Sequence, residues 1–267
     1  MNAEDPIKPV PQLPPQNSGA FASQENPASG VNPISGIVAI DKPAGLTSAA
    51  AIARVKRLLP RKTKVGHAGT LDPFATGVLV VLIGKATKQC EAMMGQPKEY
   101  EATVRLGATT ETDDLTAPAR PLEVAAPPTI DAVRSALQQQ VGQILQMPPT
   151  YSALKLGGQR ACDRVRAGEI VTLQPRPVRI DAIELLDYTW PDVHIRVACG
   201  RGTYIRSIAR DLGAALSVGG YLTQLRRTRV GEFTTANSIA IDIDGDTIRR
   251  GLRERGVLLS DQEGNDR

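Results

Sequence analysis

Strand-like and helix-like segments follow one another irregularly along this chain, and that order restricts the fold more than any single motif. Residues 37–40 form a short apolar run between Gly36 and an Asp41-Lys42-Pro43 turn, the pattern of a buried strand. A helix follows, capped by Thr47 or Ser48, with Ile52, Val55 and Leu59 at i, i+3 and i+7 and Pro60 as its stop. Residues 78–83 are a second apolar strand, and Tyr100, Ala102, Val104 and Leu106 alternate with mostly polar neighbours, as in a half-buried strand. Thr129 caps a further helix with Ile130, Val133, Leu137, Val141 and Ile144 along one stripe. Strands over 178–186 and 193–199 flank a turn at Pro191-Asp192. Gly202 then opens a helix over 203–216, which stops at Gly219-Gly220, and a basic strand near 225–230 precedes a short helix near 249–255. Strict βαβ alternation is missing, so the pattern predicts an α+β fold on a mixed sheet.

The chain's 267 residues suffice for one large domain or two small ones, and 41% apolar with 22% charged residues is the balance of a soluble globular protein. No apolar run approaches the roughly 18 residues of a membrane span, and the opening MNAEDPIKPV lacks the apolar core of a signal peptide, so a cytoplasmic location is expected. Three cysteines, Cys90, Cys162 and Cys199, with only two histidines argue against a disulfide framework or a Cys/His zinc site. Seven of the 20 prolines fall in the first 33 residues, so residues 1–35 are expected to be a flexible extension with order beginning at Gly36. Residues 1–35 and 260–267 each carry a net −2, which leaves +8 on the middle of a chain whose total is +4. That excess suits a polyanionic partner such as a nucleic acid.

Two motifs concentrate the candidate chemistry. Between Val65 and Gly77, three glycines, His67, Asp72 and Pro73 share one loop; Pro73 biases Asp72 toward an extended backbone that presents its carboxylate outward. Cys199 to Arg206 is a Gly-punctuated turn opening a helix that carries Arg206 and Arg210 four residues apart, a suitable place to meet a phosphate or carboxylate. Gly84-Lys85-Ala86-Thr87 fails as a phosphate loop, because Leu79 stands where its first glycine belongs and Thr87 does not directly follow the lysine. Glu111, Asp113 and Asp114 have no histidine nearby and read as a solvated acidic loop rather than a metal site. His194 reads as structural or solvent-facing. Of the few aromatic residues, Trp190, Tyr188 and Phe233 read as core, whereas Phe74, Tyr100, Tyr151 and Tyr204 lie by polar motifs where a ring can stack on a base.

Taken together, GIVAIDKPAGLTS (36–48), VGHAGTLDPFATGVL (65–79), YEATVRLG (100–107), QMPPTYSALK (146–155), CGRGTYIRSIARDLG (199–213) and LRRTRVG (225–231) resemble the successive motifs of the bacterial TruB-type tRNA pseudouridine synthases. The resemblance runs from Gly36 to about Ile239. It implies a largely antiparallel central sheet with flanking helices and RNA-binding loops. It also implies an isomerase that detaches the uracil of uridine 55 in the tRNA T loop, rotates it and rejoins it through C5, with no cofactor and no metal. On this resemblance Asp72 matches the catalytic carboxylate, which either attacks C1′ or removes a sugar proton to give a glycal. Arg206 matches its pairing arginine. Tyr100 matches the ring that stacks on the target base and assists C5 deprotonation, Tyr204 and Leu225 match the uracil pocket, and His67 matches the residue that holds the flipped-out loop. Lys42 and Pro43 match a buttressing motif. Lys56, Arg57, Arg61, Lys62, Lys64, Arg226, Arg227 and Arg229 would contact phosphates without regard to sequence.

The chain departs from the family pattern at Ala49, Ala50, Val80 and Cys162, none of them in the catalytic set. The expected organisation is a catalytic domain over 36–243 and a short tail over 244–267, too short for the accessory PUA-type domain of many relatives. The partner expected is the T arm of tRNA, bound by a monomer. Two alternatives stay open from sequence: an RNA-folding chaperone with weak or no catalysis, and a synthase for another RNA.

Overall fold

A computed structural model describes residues 34–152, 154–241 and 245–257; the proline-rich extension lies outside them. In chain order the strands are β1 (Gly36–Lys42), β2 (Val65–His67), β3 (Thr76–Ile83), β4 (Lys98–Leu106), β5 (Ala108–Thr109), β6 (Arg120–Pro121), β7 (Gly142–Gln146), β8 (Lys155–Leu156), β9 (Gln159–Arg160), β10 (Arg176–Thr189), β11 (Asp192–Cys199), β12 (Gly220–Val230), β13 (Phe233–Thr234) and β14 (Ile239–Ala240). The helices are α1 (Ser48–Arg57), α2 (Cys90–Gly95), α3 (Ile130–Gln138), α4 (Ala161–Arg166), α5 (Ile205–Ala215) and α6 (Asp246–Glu254).

Ten strands form one sheet in the order β14-β1-β3-β12-β4-β11-β10-β7, with β2 on β3 and β13 on β12. Only the β1–β14 and β3–β12 pairs are parallel, so the sheet is mixed, as the irregular element order predicts, and largely antiparallel, as the resemblance implies. β4 places Tyr100, Ala102, Val104 and Leu106 in the main core, where they meet Val133 and Leu137 of α3 and Ile208 and Leu212 of α5. A second cluster joins β1 and β3 to Val55 of α1 and to Ile248, Leu252 and Val257 at the far end of the described chain. Residues 245–257, which from sequence are a short C-terminal tail, therefore share the core of the domain. No helix among the described residues is long and apolar enough to cross a membrane.

Sequence and structure part at two places in this frame. The stripe through Val141 and Ile144 is not helical: α3 ends at Gln138, Gly142 turns the chain with φ +111°, and Ile144 belongs to β7. The basic strand expected near 225–230 starts at Gly220 instead. There α5 and β12 touch backbone to backbone, since a Cβ on Gly220 would lie 2.6 Å from Ala209 O and one on Gly213 only 2.1 Å from Gly219 C. That contact fixes α5, and so Arg206, against β12, which carries Leu225 and Arg227.

Candidate active site

Asp72 stands on the loop between β2 and β3, and nearly every polar group around it serves to hold that loop. Ser48, the first residue of α1, uses one hydroxyl twice: Oγ donates to Leu71 O and accepts from Leu71 N, both at 2.9 Å. Lys42 Nζ donates to Pro43 O (2.8 Å), Leu46 O (2.8 Å) and Pro73 O (3.2 Å), and Gly45 N donates to Pro73 O at 2.8 Å. Lys42 is fully buried; burial pulls its pKa down to about 8, with the Asp72 charge opposing and Arg227 adding to the fall. Lys42, which with Asp41 ends β1 rather than lying in the turn expected from sequence, thus sits with Pro43 under the Asp72 loop.

The Asp72 side chain keeps 29% of its surface exposed and meets Arg206 in a two-pronged pair, Nε to Oδ2 at 3.0 Å and Nη2 to Oδ1 at 3.2 Å. Burial pushes the Asp72 carboxyl above the usual carboxylate range, Arg206 pulls it back, and the charge of Asp114 raises it again. The outcome is a carboxylate more basic than one in water and fixed in direction. Arg206 itself is 7% exposed, and its other donors reach Asp114 Oδ2 (3.4 Å), Thr112 O (3.0 Å) and Tyr151 O (3.0 Å).

This overturns the reading of Asp113 and Asp114 as a solvated loop. Asp114 is buried, and its Oδ1 accepts from Thr112 Oγ1 (2.7 Å), Thr116 N (2.9 Å) and Thr116 Oγ1. Asp113 pairs with Arg210 at 3.2 Å, and burial raises its carboxyl too. The acidic loop is drawn inward because two α5 arginines need counter-charges. The Thr-x-Asp-x-Thr spacing, which lets one carboxylate satisfy its own turn, is the signal that could have marked Asp114.

Tyr100 of β4 is buried, and burial raises its hydroxyl pKa against the pull of Arg227. Tyr204 directly precedes α5; its N donates to Gln146 Oε1 at 2.9 Å, and its O accepts from Gln146 Nε2 at 3.1 Å. Gln146, which no sequence argument singled out, therefore sets the entry of the chain into the helix that carries Arg206. Leu225 of β12 is buried opposite Ala102. His67 of β2 is half-buried; burial lowers its pKa below the usual value, and its Nδ1 is buried without a hydrogen-bond partner among the described residues. Asp72, Arg206, Tyr100, Tyr204, Leu225 and Lys42 thus come from β1, β4, α5, β12 and the β2–β3 loop.

The basic residues divide. Lys56, Arg57, Arg61, Lys62 and Lys64 are exposed at and beyond the end of α1. Arg226 is paired with Asp41 (2.8 Å) and Arg229 with Glu99 (3.3 Å). Arg227 is 1% exposed and contacts backbone carbonyls, so it is no surface phosphate ligand; the alternation of β12 turns it inward beside Tyr100. His194 lies on the other face of β11 from Ile195, with Nδ1 3.1 Å from Thr103 Oγ1.

The chain matches two family profiles end to end: TruB family pseudouridylate synthase (N terminal domain) over residues 56–205 and tRNA pseudouridylate synthase B C-terminal domain over residues 206–243. It is 47% identical over 211 residues to the tRNA pseudouridine synthase B of Mycobacterium bovis, covering 78% of this chain and 70% of that protein. To the protein of the same name from Thermobifida fusca it is 49% identical over 217 residues, covering 78% and 73%. Among solved structures it resembles a chain of a Cbf5-Nop10-Gar1 complex with a TM-score of 0.61 at 29% identity; the match covers 85% of this chain and spans 57% of that one. The junction of the two profiles falls between Tyr204-Ile205 and Arg206, at the start of α5, so the carboxylate comes from one matched region and its arginine from the other. With both profiles matched in order and nearly half of the aligned residues identical to named relatives, this chain belongs to the TruB family of tRNA pseudouridine synthases.

Proposed function

We propose that the protein converts uridine 55 in the T loop of tRNA to pseudouridine, with Asp72 as the essential carboxylate. The observation that carries this reading is the two-pronged Asp72–Arg206 pair, part exposed on its carboxylate side and buried on its arginine side. A base that reacts must leave its stack and be held by rings and apolar side chains, and Tyr100, Tyr204 and Leu225 offer such a surface. The C1′–N1 bond breaks, the uracil turns, the C1′–C5 bond forms, and the proton displaced from C5 is balanced by one gained at N1. Asp72 serves either as the nucleophile at C1′ or as the base that takes the sugar proton on the glycal route; both use its ionised form. Arg206 keeps that carboxylate aimed while burial raises its basicity. Tyr100 stacks on the uracil and assists removal of the C5 proton, and His67 holds the flipped-out loop. The five exposed cations from Lys56 to Lys64 meet phosphates. Since one chain supplies the whole set, the protein acts as a monomer, in the cytoplasm where its tRNA substrate is made.

The test is tritium release from C5-labelled uridine in a T-arm transcript, with wild type and Asp72→Asn side by side. Release by wild type alone is expected, with RNA binding kept in the variant. No release by either, with binding intact, would make the protein a binder rather than an isomerase; release only from unrelated stem-loops would make it a synthase for another RNA.

A further inference from the structure

Arg227 is the buried charge that the reaction scheme leaves unused. Its side chain is almost wholly enclosed, yet no carboxylate pairs with it among the described residues, and burying a cation in that way is costly. Its donors go to backbone instead: Nε to Val78 O at 2.7 Å, Nη2 to Gly69 O at 3.2 Å and Nη1 to Thr70 O at 3.4 Å. Gly69 and Thr70 lie just before Asp72 in the chain and Val78 lies six residues after it, so one guanidinium grips both ends of the loop that presents the carboxylate. Its own backbone is pressed on the start of β3, where that loop ends, because a Cβ on Gly77 would fall 2.2 Å from Arg227 O. In the β12–β4 ladder Arg227 stands directly opposite Tyr100, so the two side chains share a face of the sheet. A lysine could bring the charge to this place but could not span three carbonyls with a planar fork.

We propose that Arg227 is a positioning residue of the isomerisation: by gripping both ends of the Asp72 loop next to the Tyr100 ring, it sets the carboxylate and the ring relative to each other. The inference rests on the roles given above to Asp72 and Tyr100. Asp72 is faced by Arg206 of α5, Asp114 of the loop after β5, Lys42 of β1, Tyr100 of β4, Tyr204 before α5 and Arg227 of β12. Of the three cations in that set, Arg227 is the one whose hydrogen bonds hold the loop on both sides of Asp72.

The experiment compares Arg227→Gln and Arg227→Lys with the wild type in single turnover on the T-arm transcript across pH. RNA affinity is measured separately, and folding by thermal melting. A displaced loop is expected to slow Arg227→Gln about 100-fold with unchanged RNA affinity. Loss of a cation facing Asp72 also moves the acid limb of its rate profile to higher pH, while Arg227→Lys, slow as well, keeps that limb in place. An unchanged rate in both variants, or a loss that resides wholly in RNA affinity, would overturn the proposal. Should Arg227→Gln not fold, Arg227→Lys decides alone, since a full wild-type rate in that variant is incompatible with the fork's role. Wild type and Asp72→Asn run in the same assay separate failure of this inference from failure of the Asp72 reading.

Discussion

Lys42 is where a single side chain ties ionisation to geometry. Three carbonyls need its three protons, yet burial has brought its pKa from 10.5 to about 8. Below about pH 8 the ammonium is present and all three bonds form; above it one donor is lost. Between about 8 and 10.5 the unfolded chain binds the proton that the folded one has released, so this group makes stability rise with pH while the loop beneath Asp72 slackens. The single-turnover rate should therefore fall above about pH 8, and Lys42→Arg, whose guanidinium stays protonated, should push that fall to higher pH. Lys98→Arg serves as the comparison: Lys98 has a similar pKa and lies beside Gly69 and Arg227, but its Nζ donates to Met94 O and Gln96 O rather than to carbonyls of the Asp72 loop. A limb that follows Lys98 instead would detach Lys42 from the site. At this scale the sequence was legible where a motif is contiguous, as at Asp72-Pro73. It misread Asp114 as solvated and Arg227 as a phosphate contact, because their burial depends on partners 92 and about 150 positions away, and in the case of Arg227 on carbonyls that any residue type supplies.

Among the elements, strands were read most readily. Residues 78–83 are apolar without interruption because both faces of β3 are covered, by α1 and α6 on one side and by α2 on the other. α3 was overextended because Val141 and Ile144 happen to continue its period past Gln138, and the turn at Gly142 leaves no mark on an apolar stripe. The junction of α5 with β12 was half legible: Gly219-Gly220 read as a stop, but not as the place where a helix and a strand meet without side chains between them. Gly220→Ala, with its Cβ 2.6 Å from Ala209 O, should cost about 1–3 kcal/mol in denaturant unfolding, because neither backbone can move aside alone. The same substitution should slow catalysis, since α5 carries Arg206. A variant as stable and as fast as wild type would mean that the junction has slack.

For the whole molecule, the end of the chain matters beyond its length. Ile248, Leu252 and Val257 complete the cluster that backs β1 and β3, although both family profiles stop by residue 243. Truncation before Gly245 should remove about 1.5–3 kcal/mol for each of these buried side chains. Thermal melting would register it as a clear drop in Tm, and an unchanged Tm would show that the second core cluster closes without α6. The charge distribution read from sequence also holds in part: of the eight cations assigned to phosphates, the five from Lys56 to Lys64 are exposed, while two are paired and one is enclosed.

The glycine junction also decides how the two arginines that act on Asp72 and its loop stand to each other. Because α5 and β12 touch through backbone, Arg206 and Arg227, one on each, are carried by a single stiff body, and the gap between them is not adjustable. The two guanidinium groups that act on Asp72 and its loop therefore keep their spacing through backbone contact rather than through side-chain packing.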